Sequence, residues 1–334
     1  MKAFYGYRLP GAGTETTVSR SCEVVEGLHK GFVAAPFRQD RHLTLTFTEG
    51  EYTEISELDT LANGIKVVDS FPVSTTRAQH RAEVERMVSE IKAGHLTKAV
   101  AARQLVVNRS VSLSETFMRL SREYPEAFIF CFGSDVTGVW LGASPETLVS
   151  GNCGELTSMA LAGTRSSGCC GEWDEKNIKE HNVVRDFIRD AFAAADFNPE
   201  TGHTHTAQAG PVEHLRTFIS CPIPHGYHTD ITKVGQLALR LSPTPALCGF
   251  PVDKAMLLVD SCESFDRTYY GGFCGPYHSE RDFSFFVNLR SMRRVPGGCV
   301  LYAGGGINEL SDPGDEWTET EKKLSTLLRC LESG

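Results

Sequence analysis

Apolar residues recur with two different periods along this chain. Between residues 78 and 94, Val84, Met87, Val88 and Ile91 fall at i, i+3, i+4 and i+7, which predicts an amphipathic helix with Gly94 as its stop. The run AVAARQLVV that follows, with Lys98 just before it, is β-rich. Ser112 with Glu115 three residues on predicts the capped start of a helix carrying Phe117, Leu120 and Tyr124. AFIFCF and GVWLGA read as two short strands, the second leading into the turn of GASPETLV. Residues 176–195 predict another helix, and 265–294 several strands with glycine turns. Asp312-Pro313 supplies an N-cap and a first helical residue for a closing helix. The helices cluster and do not alternate strictly with strands. That favours an α+β fold, a large and mainly antiparallel β-sheet core with flanking helices, over a doubly wound parallel sheet.

Composition narrows the classes. The 334 residues suit two average domains or one large one. We read one large domain, with a β-rich N-terminal part over 1–75 and a catalytic region over 76–334. A net charge of −9 argues against a nucleic-acid partner bound through a basic surface. No run of about 18 apolar residues predicts a membrane span, and MKAFYGYRLPGAG lacks the apolar core of a signal peptide. Eleven scattered cysteines without a CxxC pair argue against a disulfide framework or a zinc knuckle. They fit free thiols in a reducing cytoplasm. No GxGxxG or GxxxxGK[ST] points to a nucleotide fold.

Candidate chemistry begins with Glu146, the carboxylate of GASPETLV. Glu180 shares a helix face with Val184, Phe187 and Ala191, an inward apolar face, so it is a first-turn residue reaching water or a buried ligand. On the closing helix Glu316, Glu319 and Lys323 line one face, beside an apolar stripe of Trp317, Leu324, Leu328 and Leu331. Acidic residues in a first turn are common for dipole reasons alone. Two such helices in one chain raise the metal reading, for which hard oxygen ligands suit Mg²⁺. Gly304, Gly305 and Gly306 end an apolar stretch, where they form a plain turn or admit a ligand close to the backbone. Arg290 in FFVNLRSM is a surface strand residue or a fork for a carboxylate. His203 and His205 have metal-like spacing but no third ligand, and read as a polar loop. Cys248 has no base placed for it and reads as a buried thiol.

In order, TKAVAARQ, GASPETLV, ALAGTR, EKNIKEHNVV, VEHLRT, SPTPALCGFP, DRTYYGGFCGP, FVNLRSM, YAGGGI and SDPGDEWTETEKK resemble the chorismate-utilising enzymes, from about residue 90 to 330. This family includes isochorismate, salicylate, anthranilate and aminodeoxychorismate synthases, and implies an anthranilate synthase component I-like fold. Lys98 stands where ammonia-using members carry Gln, which resembles the water-using branch. Ala162 stands where aminodeoxychorismate synthases carry a nucleophilic Lys. Ala246-Leu247 looks like isochorismate synthase, and FVNLRSM with EWTETEKK like its menaquinone type. Salicylate synthase and a catalytically weak chorismate-binding homologue are the alternatives.

The resemblance implies a mechanism. Mg²⁺ on Glu180 and Glu319, with Glu316 beside them, would bind the ring carboxylate of chorismate. Lys98, neutral at the outset, would be general base for water attacking C2, and protonated Glu146 the general acid for the C4 hydroxyl. Arg290 and Tyr270 would hold the enolpyruvyl carboxylate. Gly163, Thr164, Gly304 and Gly306 would make close contacts, Lys323 would add charge, and His214 would lie near the substrate. The expected protein is a cytoplasmic monomer that needs no amidotransferase subunit. Two positions depart from the family pattern: Ser242 replaces a histidine, and Asn177 replaces an acid three residues before Glu180, removing one charge near the metal.

Overall fold

The structure, a computed structural model, describes residues 2–66, 72–169, 171–209, 212–223 and 232–332. The described strands form two sheets, and their pairings are antiparallel. The first sheet runs β15 (Gly249–Phe250), β7 (Lys98–Val107), β19 (Gly298–Ile307), β18 (Ser291–Val295), β9 (Gly138–Ser144), β8 (Phe128–Ser134), β1 (Ala3–Arg8), β2 (Thr17–Arg20) and β6 (Glu51–Tyr52). The second runs β12 (Glu200–Thr201), β14 (Val212–Pro222), β11 (Glu155–Ser166), β10 (Thr147–Asn152), β17 (Asp282–Val287), β16 (Phe273–Ser279), β4 (Gly31–Ala35), β5 (Leu45–Phe47) and β3 (Val24–Glu26), with β13 (His205–Ala209) also on β14. The helices are α1 (Leu58–Asn63), α2 (Arg77–Lys92), α3 (Leu113–Glu123), α4 (Glu175–Ala193), α5 (Thr232–Leu241), α6 (Val252–Cys262) and α7 (Pro313–Glu332). This is the α+β, mainly antiparallel architecture expected from the sequence.

Aromatic side chains hold the sheets together. Tyr5 stacks on Phe32 and Phe128 on Phe286, each pair joining one sheet to the other, the second with centroids 4.1 Å apart. Such pairs contribute about 0.5–1.5 kcal/mol beyond their burial. The strand β8 explains why AFIFCF is an unbroken apolar run. Phe128, Phe130 and Phe132 point into the core between the sheets, while Ile129 and Cys131 point the other way, into a core shared with Phe117 of α3 and Leu324 of α7.

Helix starts follow their local signals. Ser112 accepts from the Glu115 N–H, and Asp312 from the N–H groups of Gly314 and Asp315. Thr76 and Gln79 form a capping box at the start of α2 that the apolar spacing did not reveal. Three expectations need correction. Lys98 is the first residue of β7, not the residue before the strand. The core face of α7 is rotated: Glu316, Thr320, Leu324 and Leu327 are buried, whereas Trp317, Leu328 and Leu331 are only partly covered. His205 opens strand β13 on the exposed side of β14, so the pair His203 and His205 is not simply a loop. The ten described cysteines are free, and Cys170 lies outside the described residues. Among the described residues no helix is long and apolar enough to cross a membrane.

Candidate active site

The site forms where the chain crosses between the sheets. It passes from β9 to β10 through Pro145 and Glu146, and returns from β17 to β18 through residues 288–290. Because β9 pairs with β18 and β10 with β17, the crossings run side by side. The Val287 N–H donates to the Glu146 carbonyl at 3.0 Å, and the Ala143 N–H to the Arg290 carbonyl at 3.1 Å. Residues far apart in sequence are thereby fixed on one wall. Arg290 takes a φ of 48° to do so, a left-handed conformation that costs a non-glycine residue roughly 1–2 kcal/mol.

A cavity of about 70 Å³ lies against this wall. Of the residues singled out from sequence, Glu146, Thr164, His214, Ala246, Leu247, Tyr270, Arg290, Gly304 and Lys323 line it. Gly163 contributes its carbonyl one layer behind, as partner of the His214 ring at 3.0 Å. Tyr302 and Leu161 line the cavity too and were missed. Tyr302 was within reach of a sequence argument, because it stands two residues before Gly304 on one strand and so shares its face. Its ring stacks on Tyr270 with centroids 5.3 Å apart.

Burial controls the charges here. Glu146 is 2% exposed, and desolvation pushes its carboxyl up to about 8, against the opposing pull of Lys98, then Lys323, then Arg290. Its Oε1 has no hydrogen-bond partner. At neutral pH Glu146 is therefore mostly protonated. Burial likewise lowers Arg290 to about 10, and holds His214 well below its ordinary value, helped by the charges of Arg290 and Lys323. A neutral His214 donates from Nδ1 to the Gly163 carbonyl, which leaves Nε2 to accept from Arg290 Nη2 at 3.3 Å; this tautomer is assigned from the network.

On the other side, three carboxylates crowd the bare backbone of the glycine run. A Cβ on Gly305 would stand 3.0 Å from Glu316 Oε2 and 3.6 Å from Glu319 Oε1, and one on Gly306 would stand 2.2 Å from Glu180 Oε1. Each acid faces a lysine: Lys98 to Glu180 at 2.8 Å, Lys176 to Glu316 at 3.1 Å, and Lys323 to Glu319 at 2.8 Å. Burial alone would raise Glu180, but Lys98 outweighs it, with Lys323 and Lys176, and the net shift is downward. Glu316 is instead raised to about 7 by burial and by Glu319, despite Lys176. Lys176 was missed because its role comes from α7, not from its own motif.

Glu316 Oε2 is buried without a partner. Three hard oxygen donors over a glycine cradle fit a cation such as Mg²⁺. Among the described residues no three His, Cys, Asp or Glu side chains already converge as a ligand cluster. Asn177 is a structural bridge here. It accepts from the Thr164 N–H at 2.8 Å and donates to Asp174 at 2.7 Å.

Residues 51–332 match the chorismate binding enzyme family, and the chain belongs to that family. It is 30% identical over 285 residues to isochorismate synthase 2 of Arabidopsis thaliana, covering 80% of this chain and 50% of the relative. The first curated relatives it matches are longer, and the chain spans 50–65% of their length. Its fold is that of the menaquinone-specific isochorismate synthase MenF from Escherichia coli, at 22% identity and a TM-score of 0.78 over 99% of this chain and 89% of that one. It is also like anthranilate synthase component I from Streptococcus pneumoniae, at 14% identity and a TM-score of 0.68 over 98% and 92%.

Proposed function

We propose that this protein is an isochorismate synthase, converting chorismate reversibly to isochorismate with Mg²⁺. The observation that carries the reading is Glu146: a buried carboxyl, protonated at neutral pH, in a pocket that also holds Arg290 and feels Lys98 most strongly. Water attacks C2, the ring double bonds shift, and the C4 hydroxyl leaves as water. Glu146 donates the proton that the leaving hydroxyl needs. Lys98 accepts the proton of the attacking water at Nζ. Nζ lies 2.8 Å from Glu180, a contact that Lys98 gives up to take that proton. Arg290 and Tyr270 orient the enolpyruvyl carboxylate, and Lys323 adds charge. Glu180, Glu316 and Glu319 would hold Mg²⁺, which would supply a Lewis acid at the ring carboxylate.

Lys98 in the water-using position, and Ala162 in place of a nucleophilic lysine, favour water as the attacking group, with no amidotransferase subunit. The FVNLRSM and EWTETEKK blocks favour a menaquinone-type enzyme over a siderophore-type one. The test is incubation with chorismate and Mg²⁺, with product identification. Isochorismate is expected. Fluorescent salicylate would mean that pyruvate is also eliminated, and unchanged chorismate would sink the reading.

A further inference from the structure

The pocket at Glu146 holds about 70 Å³, well under the roughly 300 Å³ at the low end of small-molecule sites. A larger cavity of about 410 Å³ adjoins it, and Pro145, Leu161 and Arg290 line both. The outer cavity also carries Arg216, two residues after His214 on β14. Two residues apart on a strand point to one face, so the face that offers His214 to the inner pocket offers Arg216 to the outer one. The register agrees: Leu161, which lines both cavities, lies opposite Arg216. Arg290 Nη2 then stands 3.3 Å from His214 Nε2. Arg216, His214 and Arg290 thus form a ladder of nitrogen-bearing side chains from the outer cavity to the inner.

Arg216 is held in place. Its Nε donates to His205 Nε2 at 2.9 Å, and its guanidinium lies 5.0 Å from the centre of the Phe218 ring. Glu123 and Glu126 also line the outer cavity. An anion in this cavity would be repelled by these acids and attracted to Arg216 on the β14 wall.

We propose that the outer cavity is the entrance through which a small dicarboxylate anion reaches Glu146, and that Arg216 is its first charged contact before Arg290. This deepens the proposed function and rests on its anionic substrate. If the wild-type protein leaves chorismate unchanged, that reading fails whatever Arg216 does. With an active wild type, the variants test the entrance alone.

The measurement is steady-state chorismate conversion with Mg²⁺ at ionic strengths of about 0.01 and 0.15 M, where charges reach about 30 and 8 Å. Arg216→Ala is expected to lower kcat/KM about tenfold at low salt with kcat within about twofold, and to lose most of the wild type's fall with salt. Arg216→Lys should recover most of both. Ala207→Phe narrows the same cavity without removing charge, and should lower kcat/KM while keeping the salt dependence. It keeps the proposal testable if Arg216→Ala does not fold. Wild-type kcat/KM and salt dependence in Arg216→Ala, an equal loss in kcat, or wild-type kcat/KM in Ala207→Phe would each overturn it.

Discussion

Glu146, buried, and Glu180, partly covered, are carboxyls acted on by the same lysine, and they end in opposite states. Desolvation is the largest influence on both, and Lys98 is the largest charge opposing it in both. Glu180 touches the ammonium at 2.8 Å and has Lys323 and Lys176 behind it, so its pKa falls. Glu146 feels Lys98 only through space and has an oxygen with no partner, so its pKa rises to about 8. For these two, direct contact with Lys98 separates the carboxyl that stays ionised from the one that keeps its proton. Glu316, raised to about 7 although Lys176 lies 3.1 Å away, shows that burial and a second acid can outweigh such a contact.

The strongest way to break this comparison is to remove its members. Lys98→Ala and Glu146→Gln are each expected to lower chorismate conversion by about 10²–10⁴-fold, the usual worth of a positioned acid or base. Binding of chorismate, followed by calorimetry, should remain measurable in both. Normal turnover in either variant would show that the residue is not the proton carrier assigned to it.

How much of this was legible beforehand follows from where each signal resides. Glu146, Glu180, Glu319 and Arg290 lie in short motifs whose neighbours fix their local geometry, so their candidacy survives without coordinates. The helix starts at Ser112 and Asp312 were legible for the same reason: a cap is a contact between residues two or three apart. Lys176 and Arg216 were not legible, because each gains its meaning from an element distant in sequence, α7 for one and β11 for the other. The rotated face of α7 was hidden by composition. Its core side opens with Glu316, whose Oε1 pairs with Lys176, and Thr320, which donates to the Trp317 carbonyl, so apolar spacing pointed to the neighbouring stripe. β13 was hidden likewise, since HTAQA on an exposed edge has no apolar alternation.

The comparison also fixes a pH dependence. Glu146 must be protonated to act as the acid, so kcat should fall as pH rises through about 8. Stability should move with it. Between its ordinary value of 4.5 and about 8, the folded protein keeps a proton that the unfolded chain has lost. Stability from this group is full below 4.5 and declines as pH rises to 8. Glu146→Gln should remove that decline, so the melting temperature of the wild type should drop more between pH 5 and pH 8 than that of the variant. Parallel curves would mean that burial does not hold the proton.

A smaller effect is expected where the glycine run makes room for the ion pair. In Gly306→Ala the new methyl would meet Glu180 Oε1 at 2.2 Å and Lys98 Cε at 3.2 Å. Glu180 could swing aside only by giving up Lys98. Overpacking of this kind costs about 1–3 kcal/mol, readable by chemical denaturation. Activity should fall with stability, because the displaced acid is also a proposed ligand for Mg²⁺. Unchanged stability would mean that the pair is loose and does not hold Lys98.

The mildest test concerns Asn177, where sequence and structure make opposite demands. An acid there would add a charge beside Glu180 and strengthen Mg²⁺ binding. The carboxamide, however, donates to Asp174 at 2.7 Å while accepting from the Thr164 N–H at 2.8 Å, and Thr164 lines the pocket. In Asn177→Asp the donor is lost and two carboxylates face each other, a loss of about 1–3 kcal/mol for a partly buried bond turned repulsive. The variant should therefore bind Mg²⁺ more tightly by calorimetry and melt at a lower temperature. If it binds Mg²⁺ more tightly and melts like the wild type, the Asp174 bridge contributes nothing and the missing charge alone distinguishes this site. If it melts lower with unchanged Mg²⁺ affinity, Asn177 belongs to the wall that positions Thr164, and the carboxylate side needs only Glu180, Glu316 and Glu319.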